Sequence, residues 1–245
     1  MTEALLILSA AIGVPTLAAL LLSGQFRSPR ACLLCLAAIG AVCVNMIAMS
    51  IGASMGSLTP GLEYNWPGKI IAIALTLGMY FLLPRPLRAE TGIFAMPRAS
   101  EWKSTIAVSA ALLLTFWVIA YVFRDGKPLT GETILFQATM PGLDEEAMYR
   151  GVLLALLVGA LGKPLSVAGI RIGWGALPIV AFFGLAHGLT EGLSAETLVS
   201  MFAAAFMGAG LLWLKERTAS IWVAVVVHNL ANIGSVTLNA LPKAA

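Results

Sequence analysis

The chain has 245 residues, of which 59% are hydrophobic and only 11% charged, with a mean hydropathy of +0.91. A water-soluble core does not absorb that much apolar sequence, so the chain reads as an integral membrane protein. The formal net charge of +3 is scattered over many loops without a basic run, which argues against a nucleic-acid partner.

Each crossing takes about 20 apolar residues, so this length holds at most about eight. In lipid the backbone must satisfy its own polar groups, and without a barrel pattern that means helices. The expectation is an all-α, polytopic bundle of about eight transmembrane helices with a polar intramembrane site, forming one domain over residues 1–245. In chain order the apolar segments are 4–23, 31–53, 69–84, 104–123, 142–162, 174–189, 195–214 and 219–238. Glu3 is the one charge before Arg27, so the first run reads as a retained span and not a cleaved signal. Cys32, Cys35 and Cys43 lie in the second segment; with no second CxxC pair they read as small hydrophobes. Pro60, Pro67 and Gly68 precede the third segment, which is short. Residues 132–141 read as an amphipathic stretch on the membrane surface. Pro141-Gly142 then marks the start of the fifth span, with Asp144 as a helix cap or first-turn acid. A tight hairpin around Thr190-Glu191-Gly192 joins the sixth and seventh. Tryptophans fall near segment ends, where indoles favour the headgroup zone, except Trp117 inside the fourth.

Loop charges give an orientation. Alternate loops carry Arg27, Arg30, Arg85, Arg88, Arg98, Lys103, Lys163, Arg171, Lys215 and Arg217, ten of the fifteen basic residues. The opposite side holds Lys69, Arg124, Lys127 and Lys243, and Arg150 is intramembrane. The rule places both termini outside and the site in the outer half.

An ionisable residue inside a span costs about 2.5–3.5 kcal/mol on insertion scales, so it marks function by default. Three clusters qualify. Asp144-Glu145-Glu146 precedes Arg150 in the fifth segment. The chain's two histidines are His187, four after Phe183, and His228, four before Asn232. On a helix Glu146 and Arg150 share a face and suit an ion pair, while Glu145 and Arg150 diverge by about 140°. Glu145 is thereby freer to face a neighbouring helix. The antiparallel fifth and sixth spans bring Glu145 and His187 to one side, and His228 and Asn232 reach the same depth. A desolvated carboxylate, two histidines and an amide suit hydrolysis, as base, proton shuttle and oxyanion donors. Two histidines and one glutamate are also a catalytic zinc set. Tyr149, four after Glu145, is placed to hydrogen-bond it, and Asn45 and Gln137 are candidates to line a cavity. Gly184 with Gly188, and Gly208 with Gly210, suit close helix packing.

Glu-Glu-x-x-x-Arg, Phe-x-x-x-His and His-x-x-x-Asn, in that order on separate apolar segments, resemble the CPBP family. That family groups the type II CAAX prenyl endopeptidases with bacteriocin-processing or immunity proteins and is also called Abi. The resemblance covers a core of about 132–238. It implies an intramembrane endopeptidase in which Glu145 activates water with help from His187. His228 and Asn232 then form the oxyanion hole, Glu146 and Arg150 support the site, and Phe183 packs beside His187. The implied partner is a protein or peptide substrate, membrane-anchored or lipidated. Members have been described both as metalloproteases and as glutamate-type proteases. The metal-free version is preferred because an oxyanion hole accounts for Asn232, with zinc kept as the alternative. A proton-coupled transporter and a silent immunity or peptide-binding protein are the rival classes. Ala/Leu/Gly-rich spans point to a bacterial inner membrane.

Overall fold

The computed structural model describes residues 2–56, 59–98, 102–189, 192 and 194–242. Along them run α1 (Thr2–Leu22), α2 (Pro29–Ser54), α3 (Trp66–Leu82), α4 (Arg85–Thr91), α5 (Trp102–Val122) and α6 (Gly131–Glu145). A π-helical stretch (Glu146–Leu153) continues α6 into α7 (Leu154–Leu161), followed by α8 (Ala176–Ala186), α9 (Ala195–Thr218) and α10 (Trp222–Asn239). A two-residue turn joins the antiparallel strands β1 (Leu165–Val167) and β2 (Ile170–Ile172). The all-α class holds; α4 and the β-hairpin were not foreseen. Thr190 and Glu191 of the expected hairpin, and Lys243 of the charge count, lie outside the described residues.

Short polar side chains start the helices, as elementary capping chemistry requires. Ser28, Asn65, Thr130 and Ser194 accept the amides of Ala31, Gly68, Thr133 and Thr197. Pro29 and Pro67 occupy first-turn positions where a missing N–H costs nothing.

α2, α5 and α9 are long and apolar enough to cross a membrane, whereas Leu6–Leu22, α3 and α8 are apolar but shorter. The expected eight spans are thus not established by length and composition. Phe81, Ile106, Val118 and Phe202 are exposed on the bundle's outside, a surface that suits lipid rather than water. α8 departs most from the expected span at 174–189. Its 11 residues rise about 16 Å, roughly half a hydrocarbon core. His187 caps its C-terminal end, with its side chain exposed.

Pro141-Gly142 does not begin a helix. The helix is already running from Gly131, and Pro141 sits within it. The amide of Gly142 donates instead to Asn229 Oδ1 at 2.8 Å, tying α6 to α10 at the proline. A Cβ on Gly142 would lie 2.5 Å from that oxygen, so only glycine permits this approach. Asp144 is accordingly an interior residue and no cap. The 132–141 stretch is the first turns of this helix. Glu132 accepts the amides of Glu63 and Tyr64 and the Trp66 indole at 3.0–3.1 Å, fastening the α2–α3 loop to α6.

α2 packs along α1, α3 and α7; α8 lies against α1 and α9; and α10 against α5, α6 and α9. One apolar core joins α1, α2, α7 and α8, and a second joins α5, α9 and α10. Gly184 and Gly188 face α9, where a Cβ would meet Ala205 and Thr197 at 2.8 and 2.5 Å, so this pair serves close packing as expected. Trp117 donates to Leu230 O at 3.2 Å, which explains an indole deep in a helix. The three cysteines are free thiols.

At the basic end of the bundle Lys163 pairs with Glu90 and Glu216, and Lys215 with the same two acids. Burial raises the Glu90 carboxyl, but the Lys163 and Lys215 ammonium groups outweigh it and hold the group below its usual value. A carboxylate depressed in the folded state contributes stability that is complete above its ordinary value of 4.5 and is lost as pH falls through the folded value. The unfolding midpoint in detergent should therefore fall more steeply below that pH in the wild type than in Glu90→Gln. Parallel pH profiles would show that the network adds nothing.

Candidate active site

The π-helical stretch begins at the acidic cluster. Such a widened turn inside an α-helix is frequent at functional sites, and here it carries Glu146 and Arg150 into the core. Both side chains are fully buried and paired, with Arg150 Nη1 donating to Glu146 Oε1 at 3.1 Å. The ion pair expected from the four-residue spacing is present. Arg150 also donates to Gly208 O at 3.2 Å, and its guanidinium lies 4.2 Å from the Phe183 ring centre. Gly208 leaves the room for that approach.

His228, in α10, donates from Nδ1 to Glu146 Oε1 at 2.8 Å. Its Nε2 lies 4.0 Å from Glu145 Oε2. The two adjacent glutamates thus address opposite nitrogens of one imidazole. His187 donates from Nδ1 to Phe183 O at 2.6 Å, since a carbonyl can only accept. In neutral His187 the lone pair therefore sits on Nε2. Phe183 packs against His187 with ring centres 4.8 Å apart, as expected, and edge-on to His228 at 6.0 Å.

A second cation reaches the cluster: Lys69 Nζ lies 2.9 Å from both Glu145 Oε1 and Asp144 Oδ2. Hydropathy had put Lys69 among the loop charges. It is buried in the first turns of α3, past the Pro67 and Gly68 that marked a boundary. Asp144 accepts a further bond from Asn45 Nδ2 at 3.0 Å, so Asn45 joins the site and lines its cavity. Asn229 was also missed; it anchors α10 beside His228. Tyr149 makes no hydrogen bond to Glu145 and packs edge-on against Phe182 and Phe183. Gln137 lines neither cavity of the site.

Two cavities meet at Phe183 and His187. The smaller, about 420 Å³, holds Lys69, Asp144, Glu145 and Asn45. The larger, about 740 Å³, holds His228 and Asn232 and is walled by Phe116, Ile119, Phe123, Val199 and Met207. Glu145 and Asn232 therefore lie on opposite sides of the Phe183–His187 partition, while Glu146 and Arg150 line neither cavity. Among the described residues no group of three His, Cys, Asp or Glu side chains is placed to hold a metal ion. Glu145 shares its carboxylate with an ammonium, and both histidines are oriented through Nδ1, which leaves each Nε2 open.

Removing the Lys69 ammonium leaves two neighbouring carboxylates buried together, and breaking a buried pair costs about 3–5 kcal/mol. Lys69→Met should lower stability by that order, and Lys69→Met with Asp144→Asn should recover part of it. Denaturant titration in detergent measures both. Equal stability of wild type and Lys69→Met would mean that the ammonium neutralises nothing.

Residues 127–234 match the Rce1-like family, described as type II CAAX prenyl endopeptidase. Neither the curated proteins nor the solved structures give a match. The matched segment takes in Glu145, Glu146, Arg150, Phe183, His187, His228 and Asn232, so it bears out the resemblance read from the three motifs. It covers less than half of the chain, and Lys69 and Asn45 lie outside it. The family is one of proteases, which implies a protein or peptide substrate. The match supports placing residues 127–234, and with them the three motifs, in the CAAX protease family.

Proposed function

We propose that the chain is a metal-free intramembrane endopeptidase, crossing the bilayer about eight times, that hydrolyses a peptide bond in a membrane-anchored or lipidated substrate. The observation that carries this reading is the pair of glutamates around His228. Glu146 accepts its Nδ1 proton while Glu145 stands 4.0 Å from its Nε2. Glu145 is the base. It takes a proton from the attacking water, whose oxygen bonds to the scissile carbonyl carbon. His187 assists, since its Nδ1–H is fixed on Phe183 O and its Nε2 is free to accept.

With Nδ1 donating to Glu146, His228 is an Nε2 donor only as the imidazolium. Asn232 lines the same cavity, and its amide makes no hydrogen bond among the described residues, so it is available to the oxyanion. The proton held by Glu145 or His187 passes to the leaving amine as the carbon–nitrogen bond breaks. Lys69 holds Glu145 in place. The apolar wall of the larger cavity suits a lipid chain or an apolar helix end, with the peptide reaching past Phe183 toward Glu145. A bacterial inner membrane is the proposed location.

The test is cleavage of farnesylated and unmodified CAAX-type peptides by the protein in proteoliposomes. Glu145→Gln should lose about 10²–10⁴-fold in rate. Asn232→Ala should lower kcat by about 10²–10³-fold with little change in KM. A zinc chelator should leave the rate unchanged. Loss with chelator and recovery with zinc would replace this mechanism by the metal-dependent one. Proton flux without cleavage would replace the protease by a transporter.

A further inference from the structure

A third cavity, about 460 Å³, lies away from the glutamates and histidines, at the basic end of the bundle. Among its described lining residues, Arg98, Lys163, Arg171, Lys215 and Arg217 are cationic, against Glu90 and Glu216. The two lysines are matched by the two glutamates in the network described above. Arg98 and Arg171 meet no carboxylate among the described residues, so the cavity holds an excess of positive charge.

The walls are fixed. Arg171 donates from Nε and Nη2 to Lys163 O at 3.2 and 2.7 Å. Arg217 Nη1 donates to Gly169 O at 3.0 Å, and Trp213 Nε1 to Ala168 O at 3.2 Å. Together these bonds hold the β1–β2 hairpin against the end of α9. The amide of Arg98 is anchored on Thr218 O at 3.0 Å, while its side chain is exposed. The position is equally informative. The lining residues come from α4, the β1–β2 hairpin and the last turn of α9 with their flanking loops, at the end of the bundle that carries most of the basic residues and beside Trp213, a residue type that favours the headgroup zone.

We propose that this cavity binds a phosphate-bearing anion, supplied either by an anionic lipid headgroup or by free phosphate. Guanidinium forks match phosphate oxygens in geometry as well as charge. Arg171 and Arg217 are held in the wall by their bonds to backbone carbonyls, Arg98 reaches in from the exposed rim, and the volume suffices for a headgroup. Nothing in this site depends on the proteolytic reading.

The experiment uses the full chain purified in detergent. Retention of short-chain phosphatidic acid is measured by native mass spectrometry, with and without excess inorganic phosphate, against phosphatidylcholine as the control. The wild type should retain phosphatidic acid in preference to phosphatidylcholine. Arg98→Gln and Arg171→Gln should each weaken retention about fivefold, and Arg98→Lys should keep most of it. Retention that survives excess inorganic phosphate identifies the headgroup as the source, and displacement identifies free phosphate. Equal retention by wild type and Arg98→Gln, or no preference in the wild type, overturns the proposal. Arg98→Gln decides alone if Arg171→Gln disturbs the hairpin, because the Arg98 side chain supports no wall.

Discussion

Everything at the centre of this bundle follows from the need to neutralise buried charge. Asp144, Glu145 and Glu146 are consecutive on one helix, and lipid gives them no solvent. Three elements are drawn in to answer them. α3 brings Lys69 to Asp144 and Glu145, the π-helical stretch brings Arg150 to Glu146, and α10 brings His228 between the two glutamates. An unpaired member of such a set is far costlier than the pairing is favourable, so the charges specify how the helices meet more than they stabilise the whole. Glu146 Oε2 and Arg150 Nε remain buried without partners, which marks the site as one not optimised for stability alone.

The supporting contacts have the same logic. Asn229 takes the amide that the helix geometry releases near Pro141 and so fixes the depth of His228. Glu132 collects the amides of the α2–α3 loop and thereby sets where α3, and Lys69 with it, begins. Gly142 lets a carboxamide approach where any Cβ would block it, and Gly208 gives the Arg150 guanidinium room that a Cβ would tighten. α8 ends at His187, which lines both cavities. The candidate site is built on a short helix and a widened turn.

Much of this was legible in the sequence, because charge in an apolar run is a strong signal. Glu145, Glu146, Arg150, His187, His228 and Asn232 stand out against their surroundings, and the four-residue spacing foretold the Glu146–Arg150 pair. Lys69 was hidden by its position. It follows Trp-Pro-Gly at the edge of an apolar segment, where a lysine ordinarily reaches toward water, and only the partner helix reveals that it turns inward. Pro141-Gly142 looked like a boundary because proline usually starts or breaks a helix. What the sequence did not disclose was a side chain on another helix ready to satisfy the freed amide. The partition of the site into two cavities depends on Phe183 packing against both histidines, a tertiary contact with no local signature.

The central claim is that Glu145 is the base of a protease. The most direct measurement compares new protein termini in membranes carrying the wild type or Glu145→Gln at equal expression. The account predicts peptides with new termini in the wild-type membranes that are missing from the variant, each lying in a membrane-anchored protein. Identical sets of termini from the two would contradict it.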